Sequence, residues 1–185
     1  MDRDFLEQMY HLHFNKTYRT AYLVTGDHQL AEDAAQEAFL KAFANLDKLR
    51  DRQKFGPWVC TIASNYGVDL LRKNKKVVLT AEGTEIFADN NPGHSPEEAW
   101  DKKELSAQVK EALFMLDPED REILVLKYFN DMSINEIAAL SSSPAGTVKS
   151  RLFRARGKVR HLLQPEEHKN RQLNKTRSQT DINAP

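Results

Sequence analysis

The stretch "AEDAAQEAFLKAF" sets Ala31, Ala34, Ala35, Ala38, Phe39, Ala42 and Phe43 at spacings of three and four. That spacing is the mark of an apolar helix face. Helical periodicity of this kind runs from Tyr10 to Lys76. Asp27, after Gly26, is placed as an N-cap. "LDKLRDRQKFG" is polar and reads as a loop. Pro57 then suits the first turn of a new helix, "PWVCTIASNYGVDLLRKNKK".

The character of the chain changes after Lys76. Between Val77 and Asp101 there is no lysine or arginine, but six acids: Glu82, Glu85, Asp89, Glu97, Glu98 and Asp101. "ADNNPGHSP" within this stretch is rich in turn formers. Residues 77–94 are read as a flexible acidic linker, a composition that also serves plain solubility. Ser95, Pro96 and Glu98 combine an N-cap, a first-turn proline and a capping box. Asp117-Pro118 repeats the start signal before the buried-helix run "REILVLKYF". Ser133 and Glu136 in "SINE" form another capping box, on a short helix ending near Leu140. Ser141 to Ser143 make a tight turn, and Ser143-Pro144 opens a further helix. Residues 164–185 hold few apolar side chains and are expected to be a disordered tail.

Net charge is uninformative, because 27 basic side chains balance 27 acidic ones. A single cysteine, Cys60, allows no internal disulfide and fits a reducing, cytoplasmic setting. "MDRDFLEQMYHLHF" is not a signal peptide, and no apolar run approaches the roughly 20 residues of a membrane span, so no membrane insertion is expected.

The last helix carries the chemistry. With Val148 at zero and about 100 degrees per residue, Val148, Leu152, Ala155, Val159 and Leu162 fall within about 40 degrees of one another's mean direction. Lys149, Ser150, Phe153, Arg154 and Gly157 take the opposite face. From Pro144 to Leu163 there are six lysines or arginines and no acid. Cations without acids repel one another unless an anion neutralises them. A short capped helix, a turn and a basic helix make the helix-turn-helix pattern, whose second helix enters the major groove. Phe153 would pack on thymine methyls or sugars, or else on a neighbouring helix of its own domain. Arg72, Lys73, Lys75 and Lys76 give the first unit its own basic end. Such an end suits a helix C-terminus in any case. With Trp58 and Tyr66 before it, it also fits a single-strand site.

"AEDAAQEAFLKAF", "FGPWVCTIASNYGVDLLRKNKK" and "LDPEDREILVLKYFNDMSINEIAALSSSPAGTVKSRLFRARGKV" together resemble the extracytoplasmic-function sigma factors of bacterial RNA polymerase, within the sigma-70 family. The likeness covers Tyr10 to Leu163. It implies an all-α chain of two small helical domains. These are region 2 (1–76), a helical bundle, and region 4 (95–163), a helix-turn-helix unit, joined by the linker. Region 2 would bind the clamp helices of the largest polymerase subunit through Asp33, Gln36 and Glu37. It would capture a flipped −10 base with Leu49, Ile62 and Asn65, and hold phosphates with Arg72, Lys73, Lys75 and Lys76. Trp58 would support that helix. In region 4, Lys149, Ser150, Phe153 and Arg154 would face −35 bases, with Thr147, Arg151 and Arg156 on phosphate or in structural roles. Region 4 would also meet the flap of the second-largest subunit, and the acidic linker would thread toward the active-site channel. The resemblance implies promoter melting and transcription of a specific, stress-related regulon, an anti-sigma factor as partner, and no catalytic residue, metal or cofactor. "LRDRQKF" departs from the family in lacking a glycine.

Two other readings stand beside this one. A stand-alone helix-turn-helix repressor or activator accounts for the second unit but leaves the first without a task. A recombinase or nuclease needs clustered acids or a positioned nucleophile. The acids here lie on helix faces or in the linker, and His11 and His13 have no partner motif.

Overall fold

The computed structural model describes residues 3–49, 51–80 and 105–164, with side chains through Asn74 and again from Leu105. Seven α-helices follow one another among these residues. They are α1 (Arg3–Thr25), α2 (His28–Ala44), α3 (Phe55–Thr80), α4 (Ala107–Phe114), α5 (Pro118–Leu124), α6 (Ile134–Leu140) and α7 (Ala145–Leu163). Two short 3-10 turns, Leu46–Lys48 and Arg52–Lys54, occupy the stretch read as a loop. The segment 77–80 belongs to α3, so the helix continues past Lys76, where the first unit was expected to end. "VVLT" contains no stop signal, and the next glycine is Gly83. The cap expected at Ser95, the rest of the linker and the tail from Pro165 lie outside the described residues.

The first unit is a bundle of α1, α2 and α3. The alanine face of α2 is fully buried, and so short a side chain lets the neighbouring helices approach closely. Aromatic rings fill the remaining space: Phe39 lies 4.8 Å from Tyr10, 5.7 Å from Phe43 and 6.2 Å from Phe55, centroid to centroid. Asp27 caps α2, its carboxylate accepting from the Leu30 N–H at 2.8 Å. Gly26 makes the turn with φ of +72°, a conformation costly for any residue with a Cβ.

The second unit packs α4 to α7 around Leu113, Leu116, Ile123, Leu126, Met132, Ile137, Val148 and Leu152. After α5 the chain passes through a π-helical turn, Val125–Phe129. Pro118 starts α5, but Asp117 does not cap it; its carboxylate receives the Lys158 ammonium at 2.9 Å.

The two units share their packing. Leu23, Val24 and Val68 of the first bundle belong to the second unit's core. Arg121 is buried between them. Its guanidinium donates to the carbonyls of Val24 (2.6 Å), Phe114 (2.9 Å) and Leu116 (3.0 Å). The Val24 carbonyl lies in the last turn of α1, where carbonyls lack helical partners and the helix dipole favours a cation. Burial lowers the Arg121 pKa to about 10, so the guanidinium stays charged at neutral pH. Thr20 and Asn130 add a buried hydrogen bond of 3.0 Å across the same boundary.

Candidate nucleic-acid interface

The helix-turn-helix begins with a complete capping box. Ser133 Oγ accepts from the Glu136 N–H at 3.2 Å, and the Glu136 carboxylate accepts from the Ser133 N–H at 2.9 Å. The turn is closed by the Ser141 N–H to the Ile137 carbonyl (2.8 Å) and the Ser143 N–H to the Ala138 carbonyl (3.0 Å). Ser142 takes a left-handed φ of +50°, which reverses the chain between α6 and α7.

The phase of α7 follows the apolar stripe. Val148, Leu152 and Ala155 are buried, while Phe153 is 79% exposed, so it is not packed into a helix interface among the described residues. Thr147, Lys149, Ser150 and Arg154 are exposed beside it. The Ser150 hydroxyl donates to the Thr147 carbonyl at 3.0 Å, which leaves its oxygen to accept. The six cations of α7 are not all unpaired, as the sequence had suggested. Lys158 is fixed by Asp117 at 2.9 Å and Asp120 at 2.6 Å, which raises its pKa. Arg151 is partly buried and shares a crevice with Glu119 and Glu122. Arg156 and Arg160 line a broad apolar groove between α1 and α7. Lys149 and Arg154 therefore define the open basic face, with Phe153 between them. These acids come from α5 and the residue just before it, distant in sequence, so no local pattern on α7 announced them.

The residues expected to read the −10 element have different surroundings. Leu49 and Ile62 pack on the aromatic core with Trp58, whose ring stands edge-on to Phe55 at 6.3 Å. Asn65 is exposed and faces the crevice between the units. Arg72 is engaged by Glu119 of the second unit at 2.7 Å and by Asp69 at 3.4 Å. Lys73 is exposed, while the side chains of Lys75 and Lys76 lie outside the described residues. In "LRDRQKF", Asp51 rather than a glycine shapes the turn, its carboxylate accepting from the Gln53 N–H at 3.0 Å.

On the outer face of α2, Asp33 and Gln36 are exposed and Glu37 is partly so. Glu37 pairs with Lys41 at 3.3 Å, and Gln36 donates to Glu32 at 3.3 Å. Leu40, 67% exposed, continues this line one turn on. It was missed in the sequence, although its signal was there: it is the one leucine of "AEDAAQEAFLKAF" that falls off the alanine stripe. Among the described residues no three His, Cys, Asp or Glu side chains gather as a metal site, and no helix is long and apolar enough to cross a membrane.

Comparison with known proteins gives the same division. Residues 9–77 match the model of Sigma-70 region 2, and residues 106–159 match that of Sigma-70, region 4. The chain is 36% identical over 172 residues to the ECF RNA polymerase sigma factor SigW of Bacillus subtilis, covering 88% of this chain and 90% of that protein. It is 36% identical over 146 residues to the RNA polymerase sigma-H factor of Pseudomonas aeruginosa, covering 75% of this chain and 76% of the relative. Among solved structures, the sigma factor RpoE of Bartonella quintana, crystallised with the anti-sigma factor NepR, superposes with a TM-score of 0.69 at 28% identity. That match covers 89% of this chain and 99% of the other. With two regions matched in order and a full-length relative above one-third identity, this chain belongs to the extracytoplasmic-function sigma factors of the sigma-70 family.

Proposed function

We propose that the protein binds core RNA polymerase, recognises the −10 and −35 elements of its promoters, assists melting and initiates transcription of a specific regulon. The observation that carries the reading is the α6–α7 pair: a capped helix, a tight turn, and a helix whose apolar stripe is buried while Lys149, Phe153 and Arg154 face water. Inserted in a major groove, Arg154 would read a guanine, Phe153 would meet thymine methyls, and Thr147 and Arg151 would hold phosphates. In the first unit, Asp33, Gln36, Glu37 and Leu40 would dock on the clamp helices of the largest subunit. Leu49, Ile62 and Asn65 would take the flipped −10 base, with Arg72, Lys73, Lys75 and Lys76 on the backbone. The flap of the second-largest subunit would receive the second unit. The likeness to a sigma factor captured with its anti-sigma factor supports a partner of that kind here.

The test is transcription in vitro with purified core polymerase on a randomised promoter library, where enrichment of paired −10 and −35 sequences is expected. Reversing Asp33 and Glu37 to lysine together is expected to abolish core binding in a chain that keeps its helical signal, since both side chains lie off the buried face. Promoter recognition as strong and as selective without core polymerase as with it would instead identify a stand-alone regulator.

A further inference from the structure

A crevice of about 330 Å3 separates the two units, lined by Asn65, Asp69 and Arg72 of α3, Glu119 and Glu122 of α5, and Arg151 of α7. Glu119 and Glu122 are three residues apart and therefore share one face of α5. On an isolated helix two such acids repel. Here they face arginines from two different units. Arg72 brings both Nη2 (2.7 Å) and Nε (2.8 Å) to one oxygen of Glu119. Arg151 acts on both carboxylates from α7. The Ser64 hydroxyl of α3 donates to Glu122 at 3.1 Å. Resting on the function proposed above, Arg72 and Arg151 are both phosphate-contacting residues.

We infer that Glu119 is an internal stand-in for DNA phosphate: in the free chain it occupies Arg72, faces Arg151 and holds the two units closed, while Glu122 works against closure whenever it is ionised, so Arg72 and Arg151 meet promoter phosphates only after Glu119 lets go. The contact is built to be reversible. The Arg72–Glu119 pair is largely exposed at Arg72, and exposed ion pairs are weak. Glu122 adds a proton dependence. Burial pushes its pKa up to about 7, opposed by Ser64 and Arg151, reinforced by Glu119 and opposed by Arg72. Asp69 of α3 is the remaining charged group in the lining; α6 contributes only Ile137. Opening the crevice returns Glu122 toward the ordinary carboxylate value of 4.5. The closed form therefore binds a proton that the open form releases, and closure strengthens as pH falls from about 7 toward 4.5. Burial raises the Glu119 pKa, but its backbone N–H and Arg72 outweigh this and hold it below the usual range. Glu119 is thus ionised in the closed form wherever it is ionised in the open form.

The experiment measures the distance between labels at Gln8→Cys on α1 and Glu111→Cys on α4 in the full chain, by pulsed electron resonance from pH 5.5 to 8. Cys60 is buried and stays unlabelled. The ratio of short to long distances is expected to rise as pH falls, by at most about ten-fold per unit. Glu119→Gln is expected to lower the ratio about three-fold and keep the pH dependence. Glu122→Gln mimics the protonated form and moves the other way, raising the ratio at pH 8 by at most about 300-fold and flattening the profile. Binding to a −35 duplex by the free chain should follow the open fraction, with Glu7→Gln, which removes a charge far from the crevice, as the unchanged control. A distance profile independent of pH, or both substitutions moving it the same way, overturns the latch. Distances that shift without a change in duplex affinity overturn the masking. None of these distances depends on polymerase, so a chain that fails to bind core sinks the proposed function and leaves the latch measurable.

Discussion

The first bundle and the second unit are stabilised differently. The first has three long helices, an alanine face against aromatic rings, and a core closed on itself. The second has four helices, three of them a turn or two long, and an aliphatic core completed by Leu23, Val24 and Val68 from the first. Isolated helices of seven or eight residues are marginal in water, so the second unit holds its shape through tertiary contact. The lesson is directional: the first unit can lose the second more cheaply than the second can lose the first.

The largest expected effect comes from breaking the self-contained side. Phe55 is 1% exposed and touches Phe39 and Phe43. Phe55→Ala should cost roughly 3–5 kcal/mol. In calorimetry both units should melt earlier, because the second borrows from the first. A second unit whose melting does not move would break the asymmetry. Next comes Arg121→Met, expected to cost roughly 2–4 kcal/mol by leaving three carbonyls without their donor. Here hydrogen exchange should accelerate in α4 to α7 while α2 keeps its protection. Uniform acceleration would mean that the bundle leans on the second unit as well.

How much of this was legible in sequence follows the range of each interaction. The alanine stripe of α2, the Asp27 cap, the Ser133–Glu136 box and the phase of α7 are local patterns, and the structure realises each of them. Arg121 in "PEDREIL" looks like any surface arginine, because its acceptors at Val24, Phe114 and Leu116 are set by packing. The same holds for Lys158 and for Arg72, whose acids come from α5. In the candidate site, the open face of α7 could be read from periodicity. The crevice that takes Asn65, Arg72 and Arg151 could not, since it exists only where two units meet.

Smaller effects sharpen the comparison at the DNA face. Arg154→Ala should cost about 1–3 kcal/mol at the matched −35 element, roughly ten- to a hundred-fold, and flatten preference at one base. Arg151→Ala should weaken holoenzyme binding about equally for all promoters and lower its salt slope. Binding to promoters with single −35 substitutions at two salt concentrations separates them. If Arg154→Ala keeps the base preference, Lys149 or Ser150 is the reader. The smallest effect is Ser133→Ala, about 1 kcal/mol from the lost cap. It should appear as a lower melting temperature of the second unit alone.

The hydrogen bond from Arg121 to Val24 spans 97 residues, and that from Asn130 to Thr20 spans 110. On the ribosome, the chain through Thr80 emerges well before Arg121 does. The closed first bundle can fold in that interval, and at roughly 5–20 residues per second the interval lasts seconds. Its α1 then waits with a ready acceptor at its C-terminus, and the second unit condenses on a finished template. Vectorial synthesis thus converts these two long-range contacts into the last step of an ordered assembly. Refolding from denaturant lacks that order and should pass through a slower, more aggregation-prone phase than synthesis does.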